Sequence, residues 1–344
     1  MARSRACGDA WRHLAMKMER AMIAMPSITR RAALAGAGGL CLAAPLARQV
    51  RAADQPAGMP LRALHRFHVG GMRVTMIDDA RFTFPAPAFA ANQPEGAAAS
   101  FLTRFGLPGD FVSLHMQVSL IETGGAKVLL DTGMGGVTFP GNEPDNGRLI
   151  AGLQAVGVTP ADIDAVILSH GHPDHLGGCS VGGDPAFPNA TYHMPPEELE
   201  FWTQKPGDEA NFPNFMLGVG NAQLAPIRDR IKPYKDGEEV VPGVTAVSAP
   251  GHTLAHHAFM LHDGGERLLH LVDVAVHYLV GTEQPDWALA VEMNPEQAFE
   301  TRRRLFRQSA EERLLVAGYH FPFPGIGRIV EQGAAWRFVP MQTA

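Results

Sequence analysis

The sequence predicts an α/β fold on two observations. Short apolar runs of strand type alternate with longer stretches of helical periodicity across residues 66–344, and several of these runs stop at a histidine or an aspartate. The apolar fraction of 46% in 344 residues is enough for a substantial core. Residues 66–344 contain no linker-like stretch, short repeat or coiled-coil pattern, and are read as one domain.

In order, "VTMID" (74–78), "SLIET" (119–123) and "KVLLDTG" (127–133) are strand-like, the last two joined in hairpin fashion by Gly124-Gly125. "NGRLIAGLQAVGV" (146–158) places Leu149, Ile150, Leu153 and Val156 on one helical face. "DAVILSH" (164–170) is a buried strand with His170 at its C-terminal end. "PPEELEFW" (195–202) opens a helix, its prolines tolerated in the first turn. "VTAVSAPGH" (244–252) and "RLLHLVD" (267–273) are strands again. "NPEQAFETRRRLF" (294–306) is a helix with Asn294 as N-cap, Pro295 at N1 and Gln297 at N3, and "RLLVAGYH" (313–320) is a strand. Loops fed by rigid strand ends are where α/β folds place function.

The N-terminal segment has a different composition. Residues 1–52 carry nine Lys and Arg against Asp9 and Glu19, which leaves 20 basic and 33 acidic side chains in the remainder. A body that acidic repels phosphate backbones, so nucleic acid is not an expected partner. Arg30-Arg31 precede a mildly apolar Ala/Gly-rich run over 32–47, the pattern of a twin-arginine export signal. The run falls short of the ~20 residues of a spanning helix, so no stable membrane insertion is expected after signal cleavage; an ordinary N-terminal helix or an anchor is the alternative. Cleavage after Ala47 or Ala52 would leave 53–65 as a Pro/Ala-rich linker on a periplasmic or secreted protein, with initiation at Met22 or Met25 left open. Cys7 and Cys41 would leave with the signal, and the remaining Cys179 cannot form an internal disulfide.

"LSHGHPDHLGG" (168–178) concentrates His170, His172, Asp174 and His175. Histidine is the commonest metal ligand, and this spacing suits a loop whose alternate side chains serve two metals rather than one helix face. Pro173 favours a sharp departure from the strand, and Gly177 and Gly178 permit close backbone approach. "SAPGHT" adds His252, "HLVDV" adds Asp273 and "AGYHF" adds His320. Any one of these alone is as well explained as a core histidine or a helix cap. Seven potential ligands in order, all at the ends of apolar strands, match what a dinuclear site needs.

With these residues the sequence resembles the metallo-β-lactamase superfamily, which implies an αββα sandwich with a dinuclear site at one edge of its two sheets. The resemblance assigns His170, His172 and His252 to one metal, Asp174, His175 and His320 to the other, and Asp273 as the bridge. It makes Asp131 in "LLDTG" a support that hydrogen-bonds the loop and its ligands. "FPNATYHMPPEELEFW" (187–202), "SAPGHT" (248–253) and "FPGIGRIVEQGAAWRFVP" (323–340) carry a closer likeness to the methyl parathion hydrolase and lactonase-like members. Two departures stand out. Val272 occupies a position that is often glycine, which could narrow the site or shift its metal preference, and Leu254-Ala255 replace a usual Pro-Gly.

The resemblance implies two divalent ions, zinc first, with manganese, cobalt or iron as alternatives. The reaction it implies is hydrolysis of a neutral hydrophobic ester, lactone or phosphotriester by a metal-bridging hydroxide, with Asp174 and Asp273 as catalytic carboxylates. A β-lactamase and a di-iron oxidoreductase of the same fold are the alternatives. A small hydrophobic substrate is the expected partner, and a homodimer is left open. Aromatic residues in loop-like or helix-start segments, "RFTFPAPAF" (81–89) and especially Phe139, Trp202 and Phe215, are the expected pocket walls. The competing reading of each is a core residue. His193, His256, His257, His270 and His277 are read as core histidines, with His256 near enough to support a ligand.

Overall fold

Pairing between two long strands organises the N-terminal half of the computed structural model, which describes residues 63–138, 146–205 and 212–341. Strand β1 (Leu64–Val69) pairs antiparallel with β2 (Met72–Pro85), which pairs with β3 (Phe111–Thr123) from Arg73↔Glu122 to Pro85↔Phe111. Helix α1 (Ala97–Thr103) lies between β2 and β3 in the chain, and β4 (Ala126–Leu130) closes the hairpin at Gly124-Gly125. Helix α2 (Leu149–Ala155), β5 (Ala165–Ile167) and the single-turn α3 (Pro173–Leu176) follow, then the small hairpin β6 (Ser180–Val181) and β7 (Asp184–Pro185). Strand β8 (Thr191–Met194), helices α4 (Pro196–Trp202) and α5 (Phe212–Leu224), and β9 (Ile231–Pro233) complete this half. The first sheet has seven strands, ordered β1-β2-β3-β4-β5-β8-β9, and is parallel from β4 onward.

The second sheet contains β10 (Glu239–Val241), β11 (Val244–Ser248), β12 (His257–Asp263) and β13 (Glu266–Val272). After α6 (Val280–Glu283) and α7 (Pro295–Glu311) come β14 (Leu315–Gly318), β15 (Ile326–Gln332) and β16 (Ala335–Pro340). All seven strands stand in sequence order, and only β13 and β14, joined by the long crossover through α7, are parallel. Asn294 caps α7 by accepting the Gln297 backbone N–H at 3.2 Å, and Pro295 occupies its first turn.

Helices cover the outer faces. Leu149 and Leu153 of α2, Trp202 of α4 and Leu224 of α5 share one buried cluster with Leu120, Val166 and Tyr192 of the first sheet. Leu305 and Phe306 of α7 pack on Leu269, Leu271, Val316 and Ile329 of the second. Between the sheets the contacts include polar ones: Ser119 Oγ on β3 lies 3.2 Å from His270 Nε2 on β13, and Gln117 Nε2 donates to the Phe321 carbonyl at 2.6 Å. The arrangement is an αββα sandwich. Among the described residues, no helix is long and apolar enough to cross a membrane.

Two sequence boundaries change. Leu64 and His65, assigned to the linker, belong to β1, where they pair with Ile77 and Met76. "RFTFPAPAF" is not loop-like throughout, because Arg81–Pro85 continue β2 and only Ala86–Phe89 turn out of the sheet. Continuous pairing to β3 overrides the local proline signal there, and Phe82 and Phe89 are buried. The export segment, the N-terminal part of the linker and Phe139 lie outside the described residues.

Candidate metal centre

Strand β5 ends at Ile167, and the chain then runs through Leu168 and Ser169 to His170. His172 keeps an extended backbone (φ −66°, ψ 148°) before Pro173 starts α3, so the loop turns sharply between its second and third acidic or imidazole side chains. Gly177 and Gly178 are required by packing. A Cβ on Gly178 would stand 2.3 Å from the Thr132 carbonyl oxygen, and one on Gly177 2.4 Å from that of Met134.

Four loops converge at one edge of the sandwich. His170 Nε2 and His172 Nδ1 lie 3.0 Å apart, and His252 Nε2 lies 3.0 Å from the same His172 Nδ1. Asp273 Oδ2 is 3.2 Å from His252 Nε2 and 3.9 Å from His170 Nε2. The potential ligand atoms of these four buried residues all lie within 4.8 Å of one another. Asp174, His175 and His320 form a second group within the same limit. Asp273 Oδ2 also stands 3.3 Å from His175 Nε2 and 3.2 Å from His320 Nε2. One carboxylate oxygen therefore faces both groups.

The protonation pattern tests whether cations belong here. Ser169 Oγ donates to Asp131 Oδ2 at 2.8 Å and so accepts from His170 Nδ1–H at 3.0 Å, which leaves the His170 Nε2 lone pair pointing at the other imidazoles. His175 Nδ1–H donates to Asp131 Oδ2 at 2.8 Å, and His320 Nδ1–H to the His115 carbonyl at 2.7 Å. Their Nε2 lone pairs then face the carboxylates of Asp174 and Asp273. Lone pairs opposed to lone pairs in a buried site are repulsive unless positive charge sits between them. His175 Nε2 and Asp273 Oδ1 have no hydrogen-bond partner although both are buried. The donor set suits two divalent cations.

The electrostatics differ between the two groups. Burial and the neighbouring imidazoles hold His170 and His172 well below the usual histidine pKa. Burial also opposes charge on His175, but Asp273, Asp174 and Asp131 outweigh it and lift that ring well above the usual value. His320 is raised in the same way, burial being overcome chiefly by Asp273. Burial would raise Asp273, yet His320 and His175 hold it well below the carboxylate range. Positive charge is favoured around the shared carboxylate, where a bridging ligand would lie.

Asp131 supports the loop directly. Besides His175 and the Ser169 hydroxyl, it accepts the Ser169 backbone N–H at 2.8 Å, and it holds a left-handed φ of 63° to do so. Several further residues support the site, and of these the sequence marked only His256. Tyr319 stacks on His175 with ring centroids 4.0 Å apart and donates its hydroxyl to the Asp174 carbonyl at 2.6 Å. Gln117 Nε2 lies within 3.3 Å of three carbonyls around His320, those of Gly318, Tyr319 and Phe321. His256 donates from Nδ1 to the Ala249 carbonyl and accepts the Asp273 backbone N–H at Nε2. Asp79 accepts the Met134 and Leu149 backbone N–H groups. Arg302, buried against Glu292, donates to the Val274 carbonyl at 2.9 Å and so anchors the segment after Asp273.

Val272 and Trp202 correct their sequence readings. Val272 is fully buried and has φ 50°, a conformation natural to glycine and costing a β-branched residue about 1–3 kcal/mol. It adds backbone strain next to Asp273 instead of narrowing the opening. Trp202 is not a pocket wall: it is only 1% exposed, and its ring packs edge-on behind His172 at 5.4 Å. A tryptophan reads as a wall from composition, but its indole N–H is consumed internally by Glu198 at 2.7 Å. Phe215 is exposed on α5, as is Leu254, close in sequence to His252. His193, His257, His270 and His277 stand outside both ligand groups.

Residues 117–305, over half of the chain, match the profile of the Metallo-beta-lactamase superfamily. The chain belongs to the metallo-β-lactamase superfamily. Among curated relatives, it is 28% identical over 190 residues to the N-acyl homoserine lactonase AttM of Azorhizobium caulinodans, covering 49% of this chain and 63% of that protein. It is 27% identical over 173 residues to an N-acyl homoserine lactonase of Bacillus cereus, covering 45% and 61%. The chain thus spans a little under two thirds of these relatives' length. The fold is shared with AidC, a dizinc quorum-quenching lactonase, at TM-score 0.75 and 22% identity over 82% of this chain and 98% of AidC. It is also shared with the hydrolase AbOPH, described as in the beta lactamase superfamily, at TM-score 0.74 and 24% identity over 83% and 100%.

Proposed function

We propose that this superfamily member is a dinuclear metal-dependent hydrolase, zinc-loaded, acting on hydrophobic lactones and related neutral esters or phosphotriesters. The observation that carries the reading is the single Asp273 oxygen shared by two complete ligand groups. Two divalent cations bound there would supply Lewis acidity and a nucleophile derived from water near neutral pH. Three imidazoles in the first group favour zinc over iron.

The remaining chemistry falls to the chain itself. Asp174 is the one potential ligand that is not fully buried, its side chain being 14% exposed, and so faces incoming substrate. It is placed to orient the attacking water and to pass a proton to the leaving oxygen. Tyr319 and Asp131 hold its neighbours rigid, which keeps the acceptor in register without reorganisation. Exposed Leu254, just beyond His252 in the chain, would offer apolar surface to an uncharged substrate. The lactonase relatives support the lactone end of this range.

A panel on one zinc-loaded sample tests the substrate class. Medium-chain N-acyl lactones, aryl esters and neutral phosphotriesters should each exceed a charged phosphodiester in kcat/KM by roughly 10-fold or more, a difference of about 1.4 kcal/mol. Preference for the charged diester would overturn the substrate class while leaving the metal reading intact.

We also propose export through the twin-arginine route. Replacing Arg30 and Arg31 together by lysine should hold a longer precursor in the cytoplasm, seen by fractionation and mass. Unchanged periplasmic accumulation of that variant would remove the proposal.

A further inference from the structure

Glu198 is fully buried in α4, and the reaction scheme above does not use it. Its two oxygens meet four donors. Oε2 accepts the Gly171 backbone N–H at 3.1 Å and the Trp202 indole N–H at 2.7 Å. Oε1 accepts the Thr253 hydroxyl at 2.6 Å and the Ala255 backbone N–H at 2.8 Å. Gly171 separates His170 from His172, while Thr253 follows His252 directly. Trp202 packs against His172, and a Cβ on Gly171 would stand only 2.0 Å from its ring. Every donor therefore belongs to, or rests on, a loop that carries a ligand of the first group. None lies on the helical turn α3 that bears Asp174 and His175, or in the segment bearing His320.

We propose that Glu198 is a positioning residue that ties the His170–His172 loop to the His252 loop and thereby sets the affinity of the first metal position selectively. The proposal rests on the dinuclear reading above. The carboxylate ties the two loops across the 80 residues that separate His172 from His252, alongside the His257 N–H to Ser169 carbonyl bond at 3.3 Å. Without it, the three imidazole nitrogens that must converge on one cation are carried by loops that keep that backbone bond but lose their side-chain tie. Partners that orient ligands in this way typically change metal affinity about 10–100-fold when removed.

The test is stepwise zinc removal from the loaded full-length protein by a competing chelator, with released zinc read by a chromogenic indicator. His172→Ala and His320→Ala assign the two release steps, because each lacks a ligand of one position only. Glu198→Gln keeps the volume but turns an NH₂ group towards at least one pair of donors. It should weaken the step assigned by His172→Ala by about 10–100-fold and leave the other within about 3-fold, a change of under 1 kcal/mol. Thr253→Val removes one donor with little change in shape and should shift the same step in the same direction by less; it decides the matter if Glu198→Gln does not fold. Equal weakening of both steps, or no change in either, would overturn the proposal. A wild-type protein that never holds a second zinc would instead overturn the dinuclear reading, and this proposal with it.

Discussion

Asp273→Ala is expected to empty both metal positions together and to lower kcat/KM by about a hundred- to several-thousand-fold. The same oxygen lies within 3.2–3.3 Å of His252, His175 and His320, so its loss removes a ligand from each group at once. It also removes the negative charge that offsets repulsion between two buried cations. Deleting one partner of a buried charge pair costs about 3–5 kcal/mol of stability; a loss of the same size in transition-state stabilisation, at ~1.4 kcal/mol per tenfold, gives the range above. His320→Ala serves as the control, because His320 belongs to one group and should mainly empty that one. Metal analysis after desalting separates the outcomes. Retention of both metals with near-normal turnover in Asp273→Ala would show that the carboxylate does not bridge.

Asp131→Asn should weaken the position held by His175 by about 10–100-fold without unfolding the protein. Asparagine tolerates the left-handed backbone that Asp131 adopts, so the φ of 63° is not the difficulty. The difficulty is donor geometry. Asp131 accepts from Ser169 N, Ser169 Oγ and His175 Nδ1, each at 2.8 Å, and an amide must turn its NH₂ towards one or more of them. If the amide faces His175, that ring is driven to carry its proton on Nε2, the nitrogen needed for metal. Asp131→Ala should be worse, leaving several buried donors unpaired at about 1–3 kcal/mol each. Metal titration and thermal unfolding of the two variants together check this, and unchanged affinity in Asp131→Asn would remove Asp131 from the account.

The seven residues gathered in the two groups were legible in the sequence because each is a polar residue at or just beyond the end of an apolar run. Asp131, just beyond the end of β4, was marked only by the family resemblance. Glu198, Gln117 and Tyr319 were not legible, since their partners are mostly groups brought close only by the fold. Gln117 reaches carbonyls more than 200 positions away, and Glu198 reaches Thr253 across 55. No local pattern encodes such a contact. Trp202 failed in the opposite direction: its size and its place near a helix start suggested a wall, whereas packing behind Gly171 buried it. Strand lengths were underestimated where proline and charge interrupt the apolar pattern, as in β2, because cross-strand pairing rather than propensity sets its end. Val272 shows how a departure can be informative. The position, often glycine in the family, is left-handed here although valine fills it.

Metal content and hydrolysis, measured together on one preparation of the purified protein, decide whether the Asp273 centre is a working dinuclear site. The expected result is about two equivalents of divalent metal per chain, loss of lactone or ester hydrolysis when a chelator removes them, and recovery when zinc, cobalt or manganese is returned. A preparation that hydrolyses the same substrates at full rate with only trace metal would contradict it.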